Sequence, residues 1–197
     1  MNKQNISTRV LAGSAMLTAV AVVLQFLDFP IPVLIPPFIK FDLSDLPALI
    51  GAFAYGPLAG VLIELAKNVI HCAFTKSATV GELSNFLLGA VFTATAGFIY
   101  KKHKTKTTAI VGGITGAVIM GIVSVITNYL VVYPFYYKAY MPEEVVLAAY
   151  QAILPSVSSV LTCLFIFNLP FTIVKGIVCV LVAIPIYKPL TRIIKDH

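Results

Sequence analysis

The groups able to do chemistry in this 197-residue chain are few and regularly spaced. Glu64, Lys67, Asn68 and His71 fall at intervals that share one face of a helix, with Lys67 and His71 one turn apart. Glu82 and Asn85 repeat a three-residue interval, Asn128 stands in an apolar run, and Asn168, Thr172 and Lys175 are spaced four then three. Carboxamides, a hydroxyl and ammonium groups in this pattern suit the hydrogen bonding of a ligand. Covalent chemistry needs a nucleophile and a base at recognisable spacing, and neither that nor a G-x-S-x-G turn occurs. A G-x-x-x-x-G-K-[ST] phosphate loop is also missing, so the chain carries no ATPase site of its own. No enzyme and no metal site are expected.

The elements that position these groups are membrane helices. Hydrophobic residues make up 59% of the chain and charged residues 11%, against roughly 25% charged in a soluble domain. The fold class expected is an all-α membrane protein, a single integral domain over residues 1–197. Apolar runs place spans near residues 9–27, 57–74, 80–100, 108–134 and 168–191, and a short helix at 45–55, six in all. Within "YGPLAG" the Gly56-Pro57 pair reads as a turn, and a proline suits the first turn of a new helix. A retained first span is expected from Val10 to Leu27, because several further apolar runs follow it.

Sidedness follows from the basic residues. Lys3 and Arg9, then Lys101, Lys102, Lys104 and Lys106, then Lys188, Arg192 and Lys195 all fall inside if both termini are cytoplasmic. Reading 45–74 as one span would put the four-lysine loop outside. The polar groups of four helices then converge on the outer half of the bundle. An ionisable group near a helix centre costs on the order of 2.5–3.5 kcal/mol on insertion scales, so such a set points to a cavity. Individually they could instead tie helices together, as Glu64 with Lys67 or Glu82 with Lys76. Phe38, Phe41, Tyr129, Tyr133, Phe135 and Phe171 form either an interfacial belt or walls for a flat ring.

Two segments connect the spans outside the membrane. "DFPIPVLIPPFIKFDLSDLP", residues 28–47, is too apolar for a solvated linker and too rich in proline to be one helix. Its first part, about 28–44, is expected to be an extracellular lid with Lys40 and Phe41 toward a ligand. Residues of about 138–167 are expected to form short helices on the outer face, since Pro142, Glu143, Glu144 and Pro155 break the run. Cys72, Cys163 and Cys179 read as buried thiols. Small-residue pairs such as Ala15 and Ala19, Gly56 and Gly60, Ala90 and Ala94, and Gly112 and Gly116 allow helices to approach closely.

"FPIPVLIPPFIKFDLSDLPALIGAFAYGPLAG", "ELAKNVIH", "GELSNFLLGAVF", "TNYLVVYPFYY" and "NLPFTIVKG", in order over residues 10–192, resemble the riboflavin-specific S component of energy-coupling factor (ECF) vitamin transporters. The resemblance implies a six-helix subunit of the bacterial cytoplasmic membrane that captures riboflavin from outside. It implies partners as well: a transmembrane coupling subunit and two cytoplasmic ATPases that use ATP. Riboflavin would be cargo, and no cofactor is implied. In the family an asparagine of the fifth helix, matched by Asn128, holds the isoalloxazine edge together with a sixth-helix pattern like P-F-N-x-x-K-G. Lys175 matches the lysine of that pattern, Thr172 stands where it has asparagine, and Asn168 lies one turn earlier. A hydroxyl lacks the paired donor and acceptor of an amide. Ala12, Ala15 and Ala19 map to the docking face for the coupling subunit, and Lys40 to the lid's reach for the ligand, where a lysine would help hold a phosphate.

Three readings follow: a riboflavin-binding subunit; an S component for another vitamin or for flavin mononucleotide; and a non-transport membrane protein or enzyme. The substrate-binding residues expected under the first are Asn128, Lys175, Thr172, Lys40, Phe41, Asn85, Glu82, Asn68, Lys67 and Asn168.

Overall fold

The computed structural model describes residues 8–75 and 79–195, with side chains to residue 186; Lys3 and Lys76, and the side chains of Lys188, Arg192 and Lys195, lie outside the described set. The chain runs α1 (Thr8–Phe26), a hairpin of β1 (Phe29–Pro30) and β2 (Lys40–Phe41), α2 (Asp45–Tyr55), α3 (Pro57–His71), α4 (Val80–Lys102), α5 (Lys106–Thr127), α6 (Tyr133–Ala139), α7 (Glu143–Gln151), α8 (Val160–Cys163) and α9 (Leu169–Lys195). The molecule is a helical membrane protein. Among the described residues, five helical stretches are long and apolar enough to cross a bilayer, namely Thr8–Phe26, Pro57–Phe74, Val80–Lys102, Lys106–Ala139 and Val160–Ile186, while Asp45–Tyr55 is apolar but shorter.

The break between α2 and α3 falls where the turn chemistry requires it. Gly56 has φ 106°, a left-handed backbone that a side chain would strain, and Pro57 opens the next helix with the N–H it lacks left unneeded. The paired glycines of α5 work internally, against α4. A Cβ at Gly112 would lie 2.9 Å from the Ala96 carbonyl, and one at Gly116 2.8 Å from that of Phe92, so the two helices meet backbone to side chain.

Two features of the last spans were not anticipated. Asn128–Val132 and Leu164–Asn168 are π turns, joining α5 to α6 and α8 to α9. Each lies just ahead of a proline, Pro134 or Pro170, whose missing N–H would leave an α-helical carbonyl unmet one turn back; the wider turn accommodates this without breaking the rod. The span expected at 108–134 therefore runs on to Ala139, and the last apolar helix starts at Val160 rather than at 168, which shortens the connection expected at 138–167. Within that connection α7 packs on the bundle through Val146 and Tyr150.

The segment 28–44, expected to be an extracellular lid, is a hairpin followed by an inward turn. Phe29 pairs with Phe41 and Pro30 with Lys40 in an antiparallel register, and the chain then turns inward, so that Asp42 and Ser44 are buried. α2 has 11 residues and is about 16 Å long, short of the roughly 30 Å of a hydrocarbon core. The descending limb 42–44 delivers its first residue to the interior. Cys163 and Cys179 are buried as expected, and Cys72 is half-buried.

Candidate functional site

At the end of the bundle away from the lysine loop, a cavity of about 700 Å³ lies between the helices and the hairpin. Its size falls in the range of small-molecule pockets, roughly 300–1,000 Å³. Two hydrophobic clusters bound it: one contributes Leu88 and Met120, the other Val132, Tyr133 and Tyr136. Phe38 and Phe171 add aromatic surface.

Charge is concentrated where the descending limb meets α3 and α9. Lys175 Nζ lies 3.0 Å from Asp42 Oδ2 and 3.2 Å from Asp45 Oδ2. Asp45 Oδ1 is 2.6 Å from Lys67 Nζ, which also donates to Ser44 Oγ at 2.8 Å. Lys67 lies 2.8 Å from Glu64 Oε2 as well, but as a charge contact: neither oxygen of Glu64 accepts an aligned hydrogen bond. The result is an alternating row, Glu64, Lys67, Asp45, Lys175, Asp42, which keeps each buried charge beside an opposite one. Room for Glu64 comes from Gly89, where a Cβ would collide with the carboxylate.

The π turns set the asparagines. Asn128 opens the first and Asn168 closes the second, and both line the cavity. Ser84 donates to Asn128 Oδ1 at 3.3 Å. Tyr150 donates to Asn168 Oδ1 at 2.6 Å and its hydroxyl meets that of Tyr133, also at 2.6 Å. Burial raises the Tyr150 hydroxyl pKa well above its usual value, so it stays a neutral donor at physiological pH. Toward the other end of α3, Glu82 receives His71 Nδ1 and Thr75 Oγ1, each at 2.9 Å.

Of the ten residues expected to bind a ligand, Asn128, Lys175, Thr172, Lys40, Asn85, Glu82 and Asn168 share this cavity. Three do not line it. Lys67 is 0% exposed and wholly engaged in the buried ion row, because Asp45 and Ser44 stand between it and the cavity-facing Lys175 and bind its ammonium group with Glu64. Asn68 is turned away too, accepting from Gln25 and donating to the Glu64 carbonyl. Phe41 stacks on Phe29 across the hairpin and edge-on to Phe171. Tyr129 and Phe135 are exposed on the outer surface of their helix. Lys40 borders the cavity but is held by both oxygens of Asp28, at 2.9 and 2.8 Å.

Asp42, Asp45, Gln25, Ser84 and Tyr136 were missed. A signal for the two aspartates existed: two intramembrane lysines, Lys67 and Lys175, require carboxylate partners, and "FDLSD" enters the apolar run of α2. On α1 the buried stripe is Gly13, Leu17, Ala21 and Gln25, which leaves Ala12, Ala15 and Ala19 on the exposed side.

An apolar-walled cavity with aromatic rings, carboxamides and a charged corner, set among membrane helices, defines a membrane-embedded binder of a small molecule. Comparison with known proteins narrows the class. The family model "ECF transporter, substrate-specific component" matches residues 9–187. The riboflavin transporter RibU of Staphylococcus aureus (strain TCH60) is 37% identical over 181 residues, 92% of this chain and 89% of that protein. The riboflavin transporter FmnP of Bacillus subtilis (strain 168) is 34% identical over 172 residues, 85% of this chain and 84% of the relative. A solved structure described as the S component of a bacterial ECF transporter superposes with a TM-score of 0.74 at 35% identity, over 96% of this chain and 99% of its own. The chain belongs to the family of substrate-specific components of ECF transporters.

Proposed function

We propose that this chain is the riboflavin-binding subunit of an ECF transporter in a bacterial cytoplasmic membrane, with both termini cytoplasmic and the cavity facing outward. It crosses the membrane six times when α2 is counted together with the descending limb. The observation that carries the reading is the shared cavity of Asn128, Asn168, Thr172 and Lys175 beside Phe38, Phe171 and Tyr136, in a chain whose relatives are named riboflavin transporters. Amide and ammonium groups address the polar edge of an isoalloxazine ring and the aromatic side chains address its faces. The hairpin covers the bound vitamin, with Lys40 at its border.

Riboflavin is favoured over flavin mononucleotide, because a phosphate reaching Lys40 must displace Asp28. The test is titration of the purified, flavin-free protein with riboflavin, flavin mononucleotide and thiamine. Riboflavin quenching with submicromolar affinity, weaker flavin mononucleotide binding and no thiamine binding are expected; no riboflavin binding below micromolar concentration overturns the reading.

Uptake requires partners of the kind the family name implies, a transmembrane coupling subunit and two cytoplasmic ATPases. Ala12, Ala15 and Ala19, exposed on α1 opposite its buried stripe, form the docking face. Ala19→Leu is expected to cut cellular riboflavin uptake roughly tenfold or more, the effect of about 1.4 kcal/mol of lost interface energy. Riboflavin affinity of the isolated variant should be unchanged, and a parallel loss of binding would show that this face packs within the subunit.

A further inference from the structure

We infer that Asp42 is a ligand-binding residue, its carboxylate accepting the imide N–H of the flavin ring. The inference rests on the riboflavin reading above. The pyrimidine edge of the ring presents carbonyl, N–H, carbonyl in sequence, so a complementary wall needs an acceptor flanked by donors. Lys175 and Thr172 are donors on α9, one turn apart. The acceptor must come from elsewhere, and position beside Lys175 selects among the oxygens of the cavity. The carboxamide oxygens of Asn128 and Asn168 already accept from Ser84 and Tyr150. Asp45 gives one oxygen to each of Lys67 and Lys175.

Asp42 differs. It borders the cavity, is 6% exposed, and has only two of about four carboxylate acceptor positions taken: Oδ1 by the Ser44 N–H at 2.8 Å and Oδ2 by Lys175 at 3.0 Å. The Lys175–Asp42 pair thus presents a donor and an acceptor side by side. It supplies the pairing that an amide at position 172 would provide and that Thr172 alone cannot. The Ser44 N–H fixes the carboxylate's orientation, and the connection of Asp42 to the hairpin joins ring recognition to the segment that covers the site.

The experiment crosses a ligand change with a protein change. N3-methylriboflavin lacks the imide hydrogen, and Asp42→Asn keeps the size of the side chain and an oxygen for the Ser44 N–H. In the unsubstituted chain, N3-methylation is expected to weaken binding on the order of 10- to 100-fold, the range for loss of a hydrogen bond to a charged group. In Asp42→Asn, riboflavin should bind at least about tenfold more weakly and the methylation penalty should shrink to a few-fold. An undiminished penalty in the variant overturns the inference, since Asp42 would then act only through Lys175. A second measurement needs no variant: the N3 proton of ¹⁵N-labelled riboflavin bound to the unsubstituted protein should resonate well downfield of the free ligand. A free-like shift, or exchange as fast as in water, also overturns it. Failure of riboflavin to bind the unsubstituted chain at all would instead reject the functional reading.

Discussion

Lys175→Ala is expected to weaken riboflavin binding by roughly 30-fold or more, because truncating one member of a buried charged pair costs about 2–5 kcal/mol. Lys175 is 13% exposed and lies within 3.2 Å of both Asp42 and Asp45. In the proposed binding mode its loss removes a donor from the ring's edge and leaves Asp42 beside the ligand without the lysine it contacts. Two effects therefore act in one direction, loss of attraction and gain of an unneutralised carboxylate against carbonyl oxygens. Fluorescence titration of the variant measures the change, and Lys175→Ala/Asp42→Asn should lose less than the sum of the single losses, since the unneutralised charge is removed with it. A loss of threefold or less in Lys175→Ala would place the ring's polar edge elsewhere in the cavity.

The largest effect on folding is expected at a different lysine. Lys67 is fully buried and joins two buried carboxylates, Asp45 and Glu64, that belong to different helices. Lys67→Met fills a similar volume but strands Glu64 and leaves Asp45 with Lys175 alone, and breaking a buried pair in this way costs about 3–5 kcal/mol. The thermal midpoint in detergent should fall accordingly. Lys67→Met/Glu64→Gln should recover part of the loss, because the Gly89 space then holds a neutral amide in place of a bare carboxylate. A single variant within about 1 kcal/mol of the unsubstituted chain would mean that the row of charges is not what holds α2 against α3.

These two lysines show how far the sequence could be read. Both stood out as ionisable groups in apolar runs, and both were expected to face a ligand. Helical spacing places Lys67 with Glu64 and His71 on one side of α3, but it is blind to what the neighbouring helix brings there. Asp45 and Ser44 arrive from the descending limb and absorb Lys67, whereas His71, one turn on, reaches the cavity. Asn68 and Phe41 lie outside the cavity lining for the same reason, their partners Gln25, Phe29 and Phe171 being distant in sequence or across the hairpin.

The π turns were a different kind of omission. Pro134 and Pro170 were visible, but a proline in an apolar run can kink, break or widen a helix, and packing selects among these. Here the widened turns carry Asn128 and Asn168, so the local irregularity and the polar lining coincide.

What the sequence determined by itself is whatever depends on composition, apolar run length and strong local turn chemistry. The membrane class, the helix order, the break at Gly56-Pro57 and the grouping of Asn128, Thr172 and Lys175 belong there, because lipid enforces helical backbone pairing and basic loops resist crossing. Tertiary structure decided which lysine is sealed in the buried ion row and which borders the cavity, and it brought Asp42 to Lys175, 133 residues away. A buried charge is placed by its counter-charge, and which helix supplies that partner is settled only when the helices pack.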